Sequence, residues 1–590
     1  MKRDLDRLVF HVSQSTGKVF NSRCAFAFGV AAVLLDPSAA LSQVAPSQVT
    51  PQTLRPAAPP VPSDLPVPAR VPLQAPPDSQ NLRFVVGRVA IKGGFPEFDI
   101  ETSALIHTVE GHRVTVAQIY EFANTLEQIY ARAGYVLVRV TVPPQKLNDG
   151  GAVRIVIVDG FVEKVQVDHV PESVRELVSA RMSSLIGRRH VKLAEIERRL
   201  LIAGDVPGLR LKSTLARGEE LGGTLLVLEG THRLVTATAN IDNRLPSSLG
   251  TWSYGTSVAL NSALGLGEQF YVSAQASGDP GLILDSTSPL RVLGAGAVLP
   301  LGTDGWILNP EYTNSRSQPL PGSGALANIG QFERFALRSS YPVIRTRTEI
   351  LSLSAAFEYI SQAVALPQFS TDLNRDRYGV LRAGAAYETG LPWWSAALQT
   401  SATFSQGTGG RDSADALASG IPLSRLGASP LFSKAMIEAR LTQPLANEFR
   451  MEFIGRAQTS FGNPLLVSEQ FSLDGPLAIS AYPSGTLNVD EGGTLRAELS
   501  RSFAVIGPAV PVTLSPYGFG SFGVGRLLEP TIVELAVVRA GAVGAGVRSG
   551  IDVPGGYQGV TLGLEVARQF SNLPTLPQAW RANVSMSVRF

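Results

Sequence analysis

The stretch Trp580-Arg581-Ala582-Asn583-Val584-Ser585-Met586-Ser587-Val588-Arg589-Phe590 decides the fold. Apolar residues fall at every second position, Trp580, Ala582, Val584, Met586, Val588 and Phe590, with polar or charged residues between them. Successive side chains of a strand point to opposite faces, so one face of this segment is wholly apolar and the other wholly polar. A strand of a soluble sandwich alternates in the same way. A run of about eleven residues, however, matches a tilted strand that crosses a bilayer. A carboxyl-terminal phenylalanine on the apolar face is typical of outer-membrane barrels. The stretch therefore predicts a transmembrane β-barrel, with Phe590 as its assembly signal.

Composition agrees. At 590 residues the chain is too long for one ordinary domain. Its mean hydropathy is +0.12, yet the longest apolar run, Ala25–Leu35, is too short for a spanning helix. Slight hydrophobicity without such helices fits a barrel, whose lipid-facing residues are diluted by lumen-facing ones. The 57 glycines suit many turns and close strand contacts. Cys24 is the single cysteine, so no disulfide framework or thiolate metal site is expected. That suits a chain crossing an oxidising periplasm, with chance as the alternative. The net charge is +2, and residues 1–42 carry all of it, with five basic and three acidic residues. The balanced remainder gives no electrostatic support for a nucleic-acid partner.

Residues 1–42 read as a secretory signal peptide: a basic start, the apolar core, then Ala40-Leu41-Ser42 ahead of a cleavage point before Gln43. Residues 43–80 read as a proline-rich linker, with eleven prolines between Val44 and Gln80. Proline forbids a continuous helix, so this is a semi-rigid polyproline-like spacer or simple disorder. From Leu82 a β-α-α-β-β pattern begins. Arg83–Ile91 is a strand. Val116–Ala133 is a helix with apolar residues at three- and four-residue spacing, capped by Thr115 and stopped at Gly134. Tyr135–Val142 and Gly151–Val158 are strands. A second copy follows: strand Val162–Val167, helices Glu172–Leu185 and Leu193–Ile202, strands Arg210–Ala216 and Gly223–Glu229.

Short motifs accompany the two copies. Gly134-Tyr135, then Val142-Pro143-Pro144-Gln145 and Asp149-Gly150, resemble the first polypeptide-transport-associated (POTRA) domain of two-partner secretion outer-membrane transporters of the ShlB/FhaC/HecB type. Ile196-Glu197-Arg198-Arg199-Leu200-Leu201 with Asp205-Val206-Pro207-Gly208 resembles the second. Asp242-Asn243-Arg244 and Leu264-Gly265-Leu266-Gly267-Glu268 resemble the family's first barrel strand and hairpin turn. The resemblance covers residues 82–590. It implies α/β periplasmic POTRA modules at 82–159 and 160–231, followed by an all-β transmembrane barrel at 232–590. Tyr135, Pro143, Pro144, Gln145, Glu197, Arg198, Pro207 and Gly208 are the POTRA motif residues. At roughly 22 residues per strand and connection the barrel segment accommodates about 16 antiparallel strands, the number in the family. Visible strands include Gln269–Ser277, Ile350–Tyr359, Val380–Tyr387, Ala396–Phe404, Met436–Thr442, Met451–Thr459 and Leu495–Phe503. Ala, Gly and Ser often replace the expected apolar residues.

In this family one loop folds back into the barrel. It carries a Val-Arg-Gly-aromatic tetrad whose arginine meets an aspartate in a Phe-x-Asp-x-Gly strand. The matching residues here are Ile479-Ser480-Ala481-Tyr482 and Phe519-Gly520-Ser521-Phe522-Gly523, so both charges are missing. Ser480, Ala481, Tyr482 and Ser521 are thus the expected lumen-loop anchors. Ser480 and Ser521 would face each other, directly or through water, and Tyr482 would supply most of the hold. A shifted alignment, in which Asp474, Asp490 or Arg496 supplies the charge, stays open.

No nucleotide-binding loop, zinc-protease motif or nucleophile elbow occurs. The six histidines are scattered, and no catalytic, cofactor or metal site is expected. Arg188-Arg189-His190 with Lys192 is either a solvated face or a contact for an acidic client or lipid headgroups. The resemblance implies a secretion pore in the outer membrane of a Gram-negative bacterium, with its POTRA modules in the periplasm. It would export one large β-helical partner exoprotein, captured unfolded at the open edge of a three-stranded POTRA sheet. Outer-membrane lipid, the barrel assembly machinery and periplasmic chaperones are the other expected partners. An insertase of related architecture and a passive porin remain alternatives.

Overall fold

The computed structural model describes residues 44–56, 72–320, 327–506, 511–552, 558–576 and 578–590. The expected signal peptide lies outside them, as does the centre of the proline-rich stretch.

Sixteen antiparallel strands close into a barrel. The twelfth is interrupted at Ser502, between Glu491–Arg501 and Phe503–Ile506. In the last strand, Trp580–Arg589, Trp580 and Met586 are exposed on the outer wall while Asn583 is buried inside. The apolar face of the alternation thus faces outward. The strands seen in the sequence are present; Gln269–Ser277 has its expected bounds, while others are longer, Ile350–Tyr359 lying within Glu349–Leu366 and Val380–Tyr387 within Thr371–Leu391. A strand of 21 residues exceeds the 9–11 or so that a bilayer requires. Much of that extra length, Thr371–Arg377, is polar, which hid it from an apolar-alternation reading.

The barrel closes where Trp580–Arg589 pairs with Val235–Asp242, from Ser585 opposite Asp242 to Arg589 opposite Thr238. Beyond that ladder the Asn243 side chain takes over as a surrogate backbone. Its Oδ1 accepts from Val584 N at 2.8 Å and its Nδ2 donates to Ala582 O at 2.9 Å. The main chain of Phe590 pairs with Ala237, so the last residue belongs to the seam.

The first periplasmic module has a four-stranded sheet, in the order Arg113–Thr115, Arg83–Lys92, Gly151–Val158, Arg139–Thr141. The expectation of three strands is corrected. The short strand Arg113–Thr115 was too brief for alternation to register, and it covers only Arg83–Val85. The helix Val116–Arg132 begins as the sequence predicts: Gln118 N donates to Thr115 Oγ1, and Thr115 N donates to Gln118 Oε1. Its Ile119, Phe122, Leu126 and Tyr130 are buried against the sheet. The second module has three strands, ordered Phe161–His169, Gly223–His232, Leu209–Arg217, under helices Glu172–Met182 and Leu193–Gly204.

Asn243→Ala removes the two bonds that extend the seam. At roughly 0.5–1.5 kcal/mol each, their loss should lower the temperature at which the folded barrel loses its fast mobility on SDS gels. An unchanged transition would show that the seam does not depend on this side chain.

Candidate functional site

Residues 460–490 leave the top of strand Phe449–Thr459 and turn into the lumen. Asp474 shapes the turn. Its carboxylate accepts from Gly485 N (3.0 Å), Thr486 N (2.8 Å), Leu487 N (2.7 Å) and Ser472 Oγ (2.9 Å). That set of donors replaces the ladder a longer hairpin would provide; the pairing of Phe471–Ser472 with Asn488–Val489 is extended by one bond, Leu473 N to Leu487 O. Phe471, Leu473, Ile479, Ala481, Tyr482, Leu487 and Val489 then bury against Tyr517, Phe519, Val538, Ala540, Ala542 and Ala567 of the wall. A Cβ on Gly525 would lie 2.5 Å from Val489. The small residues that blurred the strand alternation are the room the loop needs.

The expected Ser480–Ser521 contact is not there. Ser480 Oγ donates to Glu565 Oε1 at 2.5 Å and accepts from Arg496 Nη1 at 2.9 Å. Arg496, 1% exposed, also reaches Glu565 (3.0 Å) and Glu498 (3.2 Å) and lies over the Phe519 ring, 3.6 Å from its centroid. Asn583 Nδ2 donates to Ser480 O at 2.8 Å. Ser521 is opposite Arg496 in the strand pairing, but its hydroxyl bonds no atom of the described residues. A charge pair stands nearby instead, Arg496 with Glu565. Both partners belong to the wall, and the loop joins them through a neutral serine. The open alternative naming Arg496 points to the right cation. Its partner Glu565 went unrecognised because it lies on a strand 69 residues downstream. The available signal was inward polarity: Thr494, Arg496 and Glu498 share one face while Leu495 and Leu499 are exposed on the other. Tyr482 is buried as expected, but polar contacts carry much of the hold. Glu469, fully buried, meets Arg382 (2.7 Å) and Lys434 (2.8 Å). Asp490 meets Arg425 (3.2 Å) and accepts from Leu465 N and Leu528 N.

Of the first module's motif residues, Tyr135 lies where it meets the second, beneath Lys192. The Tyr135 hydroxyl donates to Glu97 (2.9 Å), and its ring packs edge-on against Phe95. Together with the backbone N–H of Glu97 itself, that bond holds the Glu97 carboxyl below its ordinary pKa. Gln145 mimics a strand: its amide exchanges two hydrogen bonds with the main chain of Arg154. Pro143 and Pro144 follow the short strand Arg139–Thr141. The basic cluster is exposed, as a solvated face would be, but two of its members are also tied down. His190 stacks on Phe95 at 4.0 Å and pairs with Asp159, and Arg189 covers the Phe161 ring.

The second module's motif meets the barrel. Arg198 donates to the Pro342 and Val343 carbonyls, the Tyr341 hydroxyl and Asp304. Arg199 pairs with Asp304, Glu197 with Arg347, and Asp205 with Arg345. Pro207-Gly208 ends the run, and Gly208, at φ 77°, accepts from Arg233 N. A Cβ on Gly208 would come within 2.3 Å of Arg233 O.

Part of the expected spacer occupies the lumen. Pro46–Val49 forms one helical turn, and Val44 is buried with Leu245, Leu249, Leu290 and Val292. Thr53 Oγ1 and Leu54 N donate to Glu311. Among the described residues no cluster of metal-ligating side chains occurs, and no helix is long and apolar enough to cross a membrane.

Tandem POTRA modules docked on a sixteen-stranded outer-membrane barrel with an inward loop define a transporter of the polypeptide-secreting class. Residues 222–545 match the family described as haemolysin secretion/activation protein ShlB/FhaC/HecB, and residues 84–160 match the ShlB-type POTRA domain. The chain belongs to the ShlB/FhaC/HecB family of two-partner secretion transporters. It is similar to the hemolysin transporter protein ShlB of Serratia marcescens (25% identity over 65% of this chain and 66% of the relative). It is also similar to the outer membrane transporter CdiB of Escherichia coli (21%, over 71% and 69%). With the heme/hemopexin transporter HuxB of Haemophilus influenzae the alignment spans 34% of this chain and 36% of the relative. The solved structure of Escherichia coli CdiB superposes with a TM-score of 0.68 at 17% identity, covering 96% of this chain and 98% of the other.

Arg496→Ala would leave Glu565 buried without its cation, a loss on the order of 3–5 kcal/mol, while Glu498 would keep Arg548. Ser480→Ala removes hydrogen bonds only, at about 1–3 kcal/mol. Protease sensitivity of residues 460–490 in the folded barrel should rise strongly in the first variant and modestly in the second. Ser521→Ala should leave it unchanged. Equal sensitivity in all three would refute the assignment of Arg496 as the centre of the anchor.

Proposed function

We propose that this transporter exports one large, β-rich exoprotein, which enters unfolded from the periplasm and folds outside. The observation that carries the reading is the docking of the Glu197-Arg198 motif on the barrel's periplasmic turns, Arg198 alone bonding four groups there. A module fixed at the lumen mouth can hand a bound segment directly to the pore. Open strand edges offer the capture surface: Arg88–Lys92, beyond the reach of Arg113–Thr115, and Leu209–Arg217, which has one strand partner. Edge pairing binds the main chain with little demand on sequence, which suits a passing client. Periplasmic chaperones would keep that client extended, and the client's own folding outside would supply the drive. In the barrel's own assembly, Phe590 is the terminal signal read by the assembly machinery, and the outer wall meets lipid. In the lumen, Ser480, Ala481 and Tyr482 are the loop's anchor points, while Ser521 has no anchoring role.

A second reading, an insertase for other barrels, draws support from the shortness of the seam, a ladder of five residue pairs extended by Phe590 at one end and Asn243 at the other. Deleting the gene and comparing secreted with outer-membrane proteins separates the two. Loss of one large exoprotein with a normal outer-membrane profile is expected. A general fall in barrel proteins would instead favour the insertase. Arg198→Ala should reduce the exported protein by roughly tenfold at unchanged barrel abundance, the scale of losing one or two charge-assisted bonds. Undiminished export would refute the docking role.

A further inference from the structure

The segment Pro51–Leu54 is held in the lumen mainly by its main chain. Arg334 Nη2 donates to Pro51 O (2.9 Å), Arg338 Nη2 to Gln52 O (2.8 Å) and Ser273 Oγ to Leu54 O (3.4 Å). Leu54 N donates to Glu311 Oε2 (2.9 Å). Thr53 Oγ1, also on Glu311 (3.0 Å), is the one side-chain bond in the set. These wall groups are built to stay in place. Glu311 is 1% exposed and accepts from Tyr271 (2.9 Å) and Arg338 (3.0 Å), and Asn309 orients the Tyr271 hydroxyl. Arg338 is fixed from its other side by Glu358 (2.9 Å).

One side chain is also read. Leu54 packs among Ala259, Tyr271 and Val298. Gly294 forms the floor, where a Cβ would come within 2.1 Å of Leu54 Cδ1. The floor thus admits a branched aliphatic side chain because it has none of its own. Below the segment a cavity of about 690 Å³ runs from Pro51, Leu54 and Arg55 to Asp205, Val206, Pro207 and Gly208 of the second module.

We propose that Glu311, Arg334, Arg338 and Ser273, with the pocket over Gly294, form a binding station for extended polypeptide, and that the client takes it once Pro51–Leu54 has withdrawn. Donors for carbonyls and an acceptor for one N–H recognise any extended chain. The pocket adds a preference for one aliphatic residue, which a β-rich client presents at alternate positions. The chain's own segment holds the station until a client replaces it. The identity of that occupant rests on the secretion reading above, whereas the station rests on the contacts just described.

The test uses the full-length protein in planar bilayers beside two variants that free the station, one lacking residues 44–56 and one carrying Leu54→Asp. Resistance to SDS without heating verifies that each barrel is folded. Three probes are added from the POTRA side: a peptide with the sequence of residues 48–56, an unrelated alternating Thr-Val-Thr-Leu octapeptide, and that octapeptide N-methylated at its leucines. The first two should close the conductance of the freed variants. N-methylation, or Glu311→Gln in the freed background, should weaken closure by about tenfold or more. If only the peptide of residues 48–56 closes the pore, the site is a latch for this chain alone and the proposal fails. Closure indifferent to both N-methylation and Glu311→Gln overturns it equally. A deletion strain that loses no exoprotein would remove the secretion reading while leaving the bilayer result standing.

Discussion

Arg496 cannot be buried alone. A guanidinium inside the barrel wall needs compensating charge, and here Glu565 and Glu498 supply it from the same wall. Because these ions satisfy one another within the barrel, the loop brings no charge to them; its own buried carboxylates, Glu469 and Asp490, meet Arg382, Lys434 and Arg425 nearer its root. It brings Ser480, which bonds Arg496 and Glu565 together, and an apolar face that fits over small wall residues. Removing the loop would expose the ion cluster without breaking it. At Arg496 the wall keeps its charge balance with or without the loop tip, whereas Arg382 and Lys434 depend on Glu469 at the loop's root.

The same economy extends along the lumen. Carboxylates and guanidinium groups alternate from Glu311 to Arg338, Glu358, Arg382 and Glu469. One end of this series receives Thr53 and Leu54 of the amino-terminal segment, and the other belongs to the root of the inward loop. Each interior member has partners on both sides, so losing any one would strand a buried charge next to it. The two segments that fill the pore are thus tied to opposite ends of one polar network.

Elements whose order is local could be read in the sequence. The alternation of Trp580–Phe590 indicated the barrel and the face it turns outward, and Thr115 with the apolar spacing of Ile119, Phe122 and Leu126 located a helix. What joins distant strands could not. Glu565 meets Arg496 only after the barrel has formed, and motif matching directed attention to Ser521 instead. The lumen course of Val44–Pro56 was masked by its prolines, which suggested a spacer although the segment binds through its carbonyls. The cluster at Arg188–Lys192 is at the surface, as its composition indicates, but its contacts with Phe95 and Phe161 could not be read because those rings come from earlier strands and turns.

The two periplasmic joints differ in chemistry. Between the modules the contact is largely apolar and aromatic: Val136 and Leu137 reach into the core of the second module, and His190 lies on Phe95. Between the second module and the barrel it rests on ion pairs, Glu197–Arg347, Arg198–Asp304, Arg199–Asp304 and Asp205–Arg345, most of them part-exposed. Part-exposed ion pairs weaken with ionic strength and re-form readily, whereas buried apolar contacts do not. Under a pull on the periplasmic arm, the ionic joint yields first and the two modules swing as one rigid lever.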